Sequence, residues 1–558
     1  MNNTLNILIG GEAGQGLATV GEILAKSLVR KGYYIVVTQS YQSRIRGGHN
    51  TFSVRVGPDE IFAPQESIDL LVALNDETLT LHQKELSSGG RIVADQGCTL
   101  DEENCLKVPF GHLTSEKFSN IAALGVACSL LGLEEAVVGQ TLEDFFGKKV
   151  PGMAEENRRV LGEAWRWTSA QSFPFTKLPL PSKPASRLMM HGNEAIALGA
   201  ISAGLKFYSF YPMTPSTSIG LALARLAGKM GLIVEQAEDE IAAINLALGA
   251  SFAGAASMVA TSGGGFALMV EGVSLAGMTE TPVVIVVAQR PGPATGLPTR
   301  TEQGDLNFVL HAGHGEFPRA IFAPGTVEEC FHLTRQALVL AEKFQGPMFI
   351  LTDQFLSDSY RAIIPFDIEN LMPVRPSHEA APAALPYRRF AIIDNGVSPR
   401  LLPGLSEHLV IAGSDEHTED GHLTEDLLVR KKMVGKRWKK MEGICREVIP
   451  PERKGDRHPD LLLISWGSSK GSVREAASLM SSPGRRVATL HFSQVWPLVP
   501  EQFVGSLQEA RKVVCVEGNA TGQLAGLIRR ETGFEVHQRI NRYDGLPLTP
   551  EYILRELK

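Results

Sequence analysis

The stretch that decides the fold is Phe207-Tyr-Ser-Phe-Tyr-Pro-Met-Thr-Pro-Ser-Thr217, in which a short apolar strand breaks into a turn with hydroxyl side chains. Two prolines hold this turn, because each fixes its own φ angle and lacks a backbone donor. The run Glu238-Asp-Glu-Ile-Ala-Ala-Ile244 follows and begins a helix that is otherwise almost wholly apolar. A carboxylate among such residues is expected to be partly desolvated, which favours its protonated form and lets it exchange a proton.

Strands and helices alternate on both sides of this stretch. Between about residues 191 and 366 the expected strands are 207–210, 232–235, 258–260, 283–288, 320–323 and 348–352, with helical patterns between them. Strict alternation predicts a mostly parallel sheet with helices on both faces. The same pattern recurs near both ends of the chain. The predicted fold class is therefore α/β, with three α/β units and mostly parallel sheets.

Composition divides the chain into five predicted segments. These are an α/β unit at 1–168, a linker rich in Pro, Ser and Lys at 169–188, a second α/β unit at 189–366, a connecting segment at 367–456, and a third α/β unit at 457–558. The connecting segment carries a basic run, Arg430–Lys440. We expect this run to form a solvated helix face, with a subunit contact as the alternative.

Bulk composition excludes several function classes. The 558 residues include 54 basic and 61 acidic side chains, a net charge of −7, which favours neither nucleic acid nor an anionic membrane as a partner. The six cysteines are scattered without a CxxC pair, which fits a reducing cytoplasm and predicts no metal or iron–sulfur site built by this chain alone. The N-terminus has no signal-peptide pattern, and the longest apolar run is too short to span a bilayer. We therefore expect a cytoplasmic location.

A glycine-rich loop at residues 10–16 joins the first strand to the first helix. Glycines such as Gly14 and Gly16 let the backbone approach a phosphate, and the helix N-terminus supplies free N–H groups; the alternative is a plain tight turn. A dinucleotide-binding fold places an acidic residue at the end of its second strand, where this chain has Thr38-Gln-Ser40. NAD binding is therefore disfavoured.

The segment Ser40-Tyr-Gln-Ser-Arg-Ile-Arg-Gly-Gly-His-Asn50 places Arg44 and Arg46 beside Gly47 and Gly48. Guanidinium groups next to an open backbone suit a phosphate-bearing ligand, because arginine offers forked donors. From the residue types alone, an ordinary surface loop is an equal alternative.

Four motifs follow one another over about 100 residues: the turn 211–217, Glu240-Ile-Ala-Ala, Thr261-Ser-Gly-Gly-Gly-Phe266, and Thr295-Gly-Leu-Pro-Thr-Arg-Thr-Glu-Gln-Gly-Asp305. In order and spacing they resemble the pyrimidine-binding thiamine-diphosphate domain of the 2-oxoacid:ferredoxin oxidoreductase family. Residues 5–168 resemble the γ domain of that family. The segments 516–524 and 542–547 are similar to its transketolase-C-terminal-like domain. This domain order is typical of an α subunit with a fused γ domain, of the 2-oxoglutarate type.

The resemblance implies that Glu240 is catalytic. A carboxylate bonded to the aminopyrimidine ring of thiamine diphosphate would make the neighbouring amine basic enough to remove the reactive C2 proton. Glu240 shares a helical face with Ala243, Ile244 and Ala247, whereas Glu238 and Asp239 are alternatives. Without the resemblance, acids at a helix start are explained by the helix dipole.

Further residues receive roles from the same resemblance. It implies that Thr214 and an arginine hold the substrate carboxylate, with Arg300 the first choice and Arg290 the second. It implies thiamine diphosphate contacts for Tyr211, Pro212, Ser262 and Gly263 besides Glu240. It implies coenzyme A contacts for Arg46 first, then for Arg44, Gly47, Gly48, Gly14 and Gly16.

The chain lacks two features that thiamine-dependent redox enzymes need, a GDG…N motif for Mg²⁺ and a cysteine set for a cluster. The resemblance therefore implies a β subunit that carries the diphosphate, Mg²⁺ and a [4Fe–4S] cluster, assembled as (αβ)2, with ferredoxin as acceptor and no metal on this chain. The implied reaction is coenzyme A-dependent oxidative decarboxylation of a 2-oxoacid, or its reverse. 2-Oxoglutarate is favoured, and pyruvate, branched-chain 2-oxoacids and indolepyruvate stay open. The rivals are a non-catalytic coenzyme A-binding or assembly subunit and an NAD-dependent dehydrogenase.

Overall fold

The computed structural model describes residues 3–42, 48–100, 103–147, 152–181, 186–371 and 386–557. The chain divides into two compact units. Unit 1 comprises Met1–His191, Asp358–Phe366 and Thr549–Tyr552, and unit 2 comprises Gly192–Ser357, Asp367–Leu548 and Ile553–Lys558.

The strands of the described residues, in chain order, are β1 Leu5–Glu12, β2 Tyr34–Ser40, β3 His49–Gly57, β4 Ile68–Ala73, β5 Leu86–Asp95, β6 Cys105–Val108, β7 Leu188–Met190, β8 Phe207–Phe210, β9 Ile233–Gln236, β10 Ser257–Thr261, β11 Val283–Gln289, β12 Ala320–Phe322, β13 Pro347–Asp353, β14 Arg361–Ile363, β15 Glu452–Gly455, β16 Leu461–Trp466, β17 Val487–Phe492, β18 Gln494–Trp496, β19 Val513–Glu517 and β20 Gln538–Asn541.

The α-helices of the same residues are α1 Leu17–Arg30, α2 Asp76–His82, α3 Phe110–Leu113, α4 Ser119–Leu131, α5 Glu135–Phe146, α6 Met153–Ser169, α7 Gly192–Ser202, α8 Thr217–Met230, α9 Glu240–Phe252, α10 Gly263–Thr279, α11 Leu306–His311, α12 Val327–Phe344, α13 Gln354–Asp358, α14 Leu427–Arg446, α15 Lys470–Met480, α16 Val504–Gln508, α17 Gln523–Thr532 and α18 Pro550–Glu556.

Unit 1 is built on an eight-stranded sheet of order β6-β5-β4-β1-β3-β2-β14-β7. Strands β1, β4, β5 and β6 are parallel, whereas β3 pairs with β1 and β2 in the antiparallel sense. The two strands that complete the sheet, β14 and β7, come from residues expected in the second α/β unit and at the end of the linker. Helices α1 and α4 bury their apolar faces on this sheet, which makes it the core of the unit.

The alternation of Phe52, Val54 and Val56 in β3 indicates a half-exposed strand. These three side chains are buried and Ser53 between them is partly exposed, as expected, but Arg55, on the face expected to be exposed, is buried. The Arg55 guanidinium donates to the backbone oxygen of Ala63 at 2.9 Å. A buried guanidinium needs such an acceptor. Because Ala63 lies outside β3, the alternation within the strand does not predict that Arg55 is buried.

Unit 2 contains two sheets, and the larger has seven strands in the order β18-β12-β13-β11-β10-β8-β9. Every neighbouring pair from β12 to β9 is parallel. The central strands β10, β11 and β13 are buried along their whole length, which explains why their sequences are continuous apolar runs. Helices α9 and α10 pack on one face of this sheet.

The smaller sheet of unit 2 has the order β15-β17-β16-β19-β20, with β16, β17, β19 and β20 parallel. Its buried residues, such as Trp466 and Phe492, belong to the same apolar cluster as those of the seven-stranded sheet. The two sheets of unit 2 therefore share one continuous core.

Helix α14 contradicts the expectation of a solvated basic face over Arg430–Lys440. Lys436, Arg437 and Lys440 are buried, and both lysines form ion pairs with Glu280, which is itself buried at the C-terminal end of α10. A buried carboxylate needs a neighbouring positive charge. Lys436 and Lys440 are therefore buried because they pair with Glu280, which lies far away in the sequence.

Candidate functional site

The predicted site residues of unit 2 lie at one edge of the seven-stranded sheet. Strands β8, β10 and β11 are adjacent and parallel, so their carboxyl ends point the same way. Tyr211 follows β8, Ser262 follows β10, and Arg290 follows β11. In open parallel sheets this edge is where ligands bind, because loops from neighbouring strands converge there.

Glu240 is the acid of its cluster that points inward. It is 3% exposed, whereas Glu238 is exposed. The Asp239 carboxylate caps α9 instead, since it accepts from the Ala242 N–H at 2.7 Å. Within the described part of the chain, Glu240 Oε1 has no hydrogen-bond partner although it is buried. A buried carboxylate oxygen without a partner is rare, and it points to a group that is bound there.

Gly265 packs directly against this carboxylate and against Thr261. A Cβ atom at position 265 would lie 2.6 Å from Glu240 Oε1 and 2.3 Å from Thr261 Oγ1, so only glycine leaves room for both side chains. The first turn of α10 therefore lies in direct contact with the start of α9. Glycine at position 265 is therefore a packing requirement at this site.

Ser262 and Gly263 lie next to a second carboxylate. The Ser262 hydroxyl is buried and has no partner among the described residues. A Cβ at Gly263 would lie 2.5 Å from Asp305 Oδ2, so the Asp305 side chain lies against the N-terminus of α10. Burial raises the pKa of Asp305 to about 6, against the opposing charge of Arg290.

Arg290 holds the proline turn after β8. Its Nη1 donates to the backbone oxygen of Thr214 at 2.7 Å, and burial lowers the pKa of this guanidinium. Asn193 braces the other side of the turn, since its Nδ2 donates to the Pro215 oxygen at 2.8 Å. Tyr211 and Pro212, at the start of the turn, are exposed.

Arg300 lies on the loop between β11 and α11. The stem of its side chain packs on Gly545, where a Cβ would lie 3.1 Å from the Arg300 Cβ. The side chain is half-buried, and among the described residues its guanidinium has no hydrogen bond or ion pair. Of the two candidate arginines, Arg290 thus donates to the Thr214 backbone oxygen, whereas the described residues leave the Arg300 guanidinium without an acceptor.

In unit 1 the glycine loop adopts backbone angles that favour glycine, with φ of 101° at Gly14 and 74° at Gly16. The Ala13 N–H donates to the Gly48 oxygen at 3.1 Å, so the loop and the end of the segment 40–50 are neighbours. Arg44, Arg46 and Gly47 lie outside the described residues.

Comparison with known proteins identifies the family. Residues 6–167 match the family model "Pyruvate ferredoxin/flavodoxin oxidoreductase", and residues 198–436 match "Pyruvate flavodoxin/ferredoxin oxidoreductase, thiamine diP-bdg". The 2-oxoacid:ferredoxin oxidoreductase subunit alpha of Sulfolobus sp is 31% identical over 97% of this chain and 95% of its own length. The chain belongs to the 2-oxoacid:ferredoxin oxidoreductase family.

Two further relatives agree with this assignment. The 2-oxoglutarate oxidoreductase subunit KorA of Mycobacterium tuberculosis is 27% identical over 99% of this chain and 91% of its own length. A solved structure, 2-oxoglutarate:ferredoxin oxidoreductase from Magnetococcus marinus with 2-oxoglutarate, coenzyme A and succinyl-CoA bound, superimposes with a TM-score of 0.94 at 31% identity, covering 100% of this chain and 99% of that one. The predicted family and α/β fold class are confirmed, and the chain is an oxidoreductase subunit of the alpha type with a thiamine-diphosphate-binding domain.

Sequence reasoning missed several residues of this 2-oxoacid oxidoreductase site. Thr261 and Gly265 belong to the motif 261–266, and Asp305 ends the motif 295–305, yet the motifs alone give none of them a role. Gly265 could have been predicted as a site residue, because a glycine at the start of a helix often allows another group to approach closely. Asp305 carried none, since only the fold places it beside Gly263.

Neither a metal cluster nor a membrane span is evident in the described ranges. Across them, no three His, Cys, Asp or Glu side chains are grouped as a metal site would require. None of the described helices combines the length and the hydropathy needed to cross a bilayer.

Proposed function

We propose that this chain supplies the pyrimidine-binding half of a thiamine-diphosphate site in a coenzyme A-dependent 2-oxoacid:ferredoxin oxidoreductase. The proposed reaction converts a 2-oxoacid and coenzyme A to the acyl-CoA and CO2, with the electrons passing to ferredoxin, and it runs in reverse under reducing conditions. The observation that carries the proposal is the buried Glu240 carboxylate, whose Oε1 has no partner in the described chain.

The described residues fit the pyrimidine half of thiamine diphosphate. Glu240 would hold and return a proton at its Oε1, which is buried and has no partner in the described chain. Ser262 and the Gly263 backbone offer polar groups at the same sheet edge. When bound, thiamine diphosphate supplies the electron sink that decarboxylation requires.

Arg300 is proposed to grip the 2-oxoacid carboxylate together with Thr214, because its guanidinium is uncommitted among the described residues whereas that of Arg290 holds the Thr214 backbone. We propose 2-oxoglutarate as the substrate. Support comes from the relatives named for 2-oxoglutarate and from the whole-length match to a structure that contains it. Pyruvate, branched-chain 2-oxoacids and indolepyruvate are the alternatives.

Coenzyme A is proposed to bind at the glycine loop of unit 1. The loop carries Gly14 and Gly16 at positive φ, and Gly48 is hydrogen-bonded to it. Arg46 and Arg44 precede Gly48 in the sequence by two and four positions, and they would add charge for the phosphates. The coenzyme A bound in the Magnetococcus marinus enzyme supports coenzyme A as the ligand.

A partner subunit is proposed to cover α9 and α10. Apart from Asn245 on α9 and Glu271 on α10, the exposed sides of both helices carry few polar residues, which is typical of helices enclosed by protein. Yet Ile241, Leu246 and Leu268 are exposed on them in this chain. A β subunit seated there would bring the diphosphate, Mg²⁺ and a [4Fe–4S] cluster to the site. The proposed assembly is (αβ)2, with ferredoxin as the acceptor.

The test is to purify the native complex and, separately, this chain alone. The complex should reduce a viologen dye with one 2-oxoacid of a panel in the presence of coenzyme A. The chain alone should be colourless and inactive; iron and labile sulfide in it, or turnover without a partner, would contradict the proposal. The rival assembly-subunit function requires full activity of the complex when Glu240 is replaced by Gln.

A further inference from the structure

A buried glutamine fixes the loop that carries Arg300. Gln303 is 3% exposed, and both ends of its amide are bound to backbone of the smaller sheet of unit 2. Its Nε2 donates to the Trp466 oxygen at 2.9 Å, and its Oε1 accepts from the Gly518 N–H at 2.8 Å. The Gln303 N–H also donates to the Gly518 oxygen at 2.6 Å. The loop 300–305 is therefore attached to the carboxyl ends of β16 and β19.

A second glutamine, Gln523 at the start of α17, also binds this loop and the residues that follow it. Its Nε2 donates to the Gly304 oxygen at 2.7 Å, and its Oε1 accepts from the Asn307 N–H at 2.8 Å. Thr301 adds a third attachment, because its N–H donates to the Gly545 oxygen at 3.2 Å. The loop thus has three separate anchors in the C-terminal part of the chain.

Two of these anchors are themselves held in place by one buried acid. Glu517 accepts from the Trp466 indole Nε1 at 3.0 Å, from the Leu524 N–H at 2.8 Å and from the Ala525 N–H at 3.0 Å. These bonds tie β16, β19 and the first turn of α17 together, and the carboxylate is fully supplied with donors. Glu517 therefore fixes Gln523 and the backbone groups that bind Gln303 relative to one another.

We propose that Gln303 and Gln523 are positioning residues for the 2-oxoacid: they set where Arg300 and Asp305 stand at the site. Neither glutamine touches the reacting atoms. Asp305 lies at the end of the same loop and against Gly263, so a shift of the loop moves it relative to the start of α10. The inference deepens the proposed function, since it depends on Arg300 binding the substrate carboxylate.

The test uses the native complex with Gln303→Ala or Gln303→Glu in this chain. A carboxylate in place of the amide keeps the size but loses the donor to the Trp466 oxygen. Both variants should raise the KM for the 2-oxoacid, and kcat/KM should fall on the order of 10- to 100-fold, the scale of a misplaced substrate-binding group. The KM for coenzyme A should not change. Peptides that cover 298–307 should exchange amide hydrogens faster.

The chain offers a matched control in Gln494. This side chain is also buried, accepts from the Ile449 N–H at 3.0 Å and donates to the Trp496 oxygen at 3.2 Å, but it belongs to β18 at the far edge of the seven-stranded sheet. Gln494→Ala should leave both KM values and the exchange of 298–307 as in the wild type. Equal changes in the two variants would overturn the proposal.

Arg300→Ala, measured in parallel, separates the two proposals. A normal KM for the 2-oxoacid in Arg300→Ala contradicts the proposed function. A raised KM in Arg300→Ala with a normal KM in Gln303→Ala contradicts only the positioning role. If Gln303→Ala does not assemble, Gln523→Ala gives the same test from a half-buried side chain, and an unchanged KM there also overturns the proposal.

Discussion

The Glu240 carboxylate and Gly265 form a contact that no larger residue at 265 permits: a Cβ there would lie 2.6 Å from Glu240 Oε1. The carboxylate is buried, and α10 lies against it on that side. One oxygen is left without a partner in the described chain. A buried carboxylate oxygen in this state leaves an acceptor position open for a bound group.

Glu240→Gln should abolish decarboxylation in the assembled complex and leave assembly intact. The amide keeps the shape of the side chain but cannot exchange the proton, so the loss of kcat should be on the order of 10²–10⁴-fold. The measurement is steady-state turnover of the complex after size-exclusion chromatography. Glu238→Gln is the matched control, because that acid is two residues away and exposed. Near-normal turnover in Glu240→Gln, or loss only in Glu238→Gln, would contradict the assignment.

Gly265→Ala should impair the reaction without replacing any chemical group. The new methyl would lie within 3 Å of both Glu240 Oε1 and Thr261 Oγ1, so the carboxylate must move. We expect kcat to fall on the order of 10- to 100-fold, as for other small displacements of catalytic groups. Gly264→Ala is the control, since its nearest atom, the Ala294 oxygen, is 3.5 Å away. Equal activity of the two variants would show that the contact is irrelevant.

Arg300→Ala should raise the KM for the 2-oxoacid far more than that for coenzyme A, because a charged hydrogen bond to the substrate carboxylate is lost. Arg290→Ala should behave differently. It removes the donor to the Thr214 oxygen and frees the turn, so kcat and thermal stability should fall together. Steady-state kinetics and thermal unfolding of both variants give the comparison. A KM effect confined to Arg290→Ala would reverse the roles of the two arginines.

The elements of unit 2 could be predicted from sequence because their signals are local. Strand β8 has its predicted bounds, and the inward face of α9 with Glu240, Ala243, Ile244 and Ala247 follows from helical period alone. Contacts between distant segments could not be predicted. Nothing in the sequence near Lys436 or Lys440 shows that Glu280, about 150 residues earlier, lies at their side, and a basic run without its partner has the composition of a solvated face.

In the candidate site, too, local features could be predicted and long-range contacts could not. The proline turn could be recognised as part of a site because its local geometry requires those residue types. Gln303 and Asp305 could not, because their importance comes from Trp466, Gly518 and Gly263, which only the fold brings near.

Arg46→Ala should weaken the use of coenzyme A and leave the KM for the 2-oxoacid unchanged. The lost guanidinium is the one that the sequence places beside Gly47 and Gly48, where phosphates would meet an open backbone. The KM for coenzyme A should rise, and the binding that is left should be less sensitive to salt, since one screened charge is gone. Arg166→Ala, an exposed arginine on α6 of the same unit, is the control. An unchanged KM for coenzyme A would remove the function proposed for the glycine loop.

The buried cluster around Glu280 should make the attachment of α14 sensitive to acid. Burial by itself raises the pKa of Glu280, but the charges of Lys440, Lys436 and Arg389 outweigh it and hold the pKa well below its usual range. The folded state therefore binds this proton less readily than the unfolded state. The stabilisation is present above the ordinary glutamate pKa of about 4.5, and it is lost as the pH falls through the lower value in the folded state.

Glu280→Gln should open α14 at neutral pH, because two buried lysines lose their counter-charge. The free energy of opening, measured by amide hydrogen exchange over residues 427–446, should fall by about 3–5 kcal/mol, the usual cost of breaking a buried ion pair. Glu442→Gln on the same helix is exposed and should change nothing. In the wild type the opening free energy should decline as the pH is lowered below about 4.5, and in Glu280→Gln this part of the decline should be absent. Equal pH profiles in the two proteins would show that Glu280 titrates normally and that the buried cluster does not hold α14 in place.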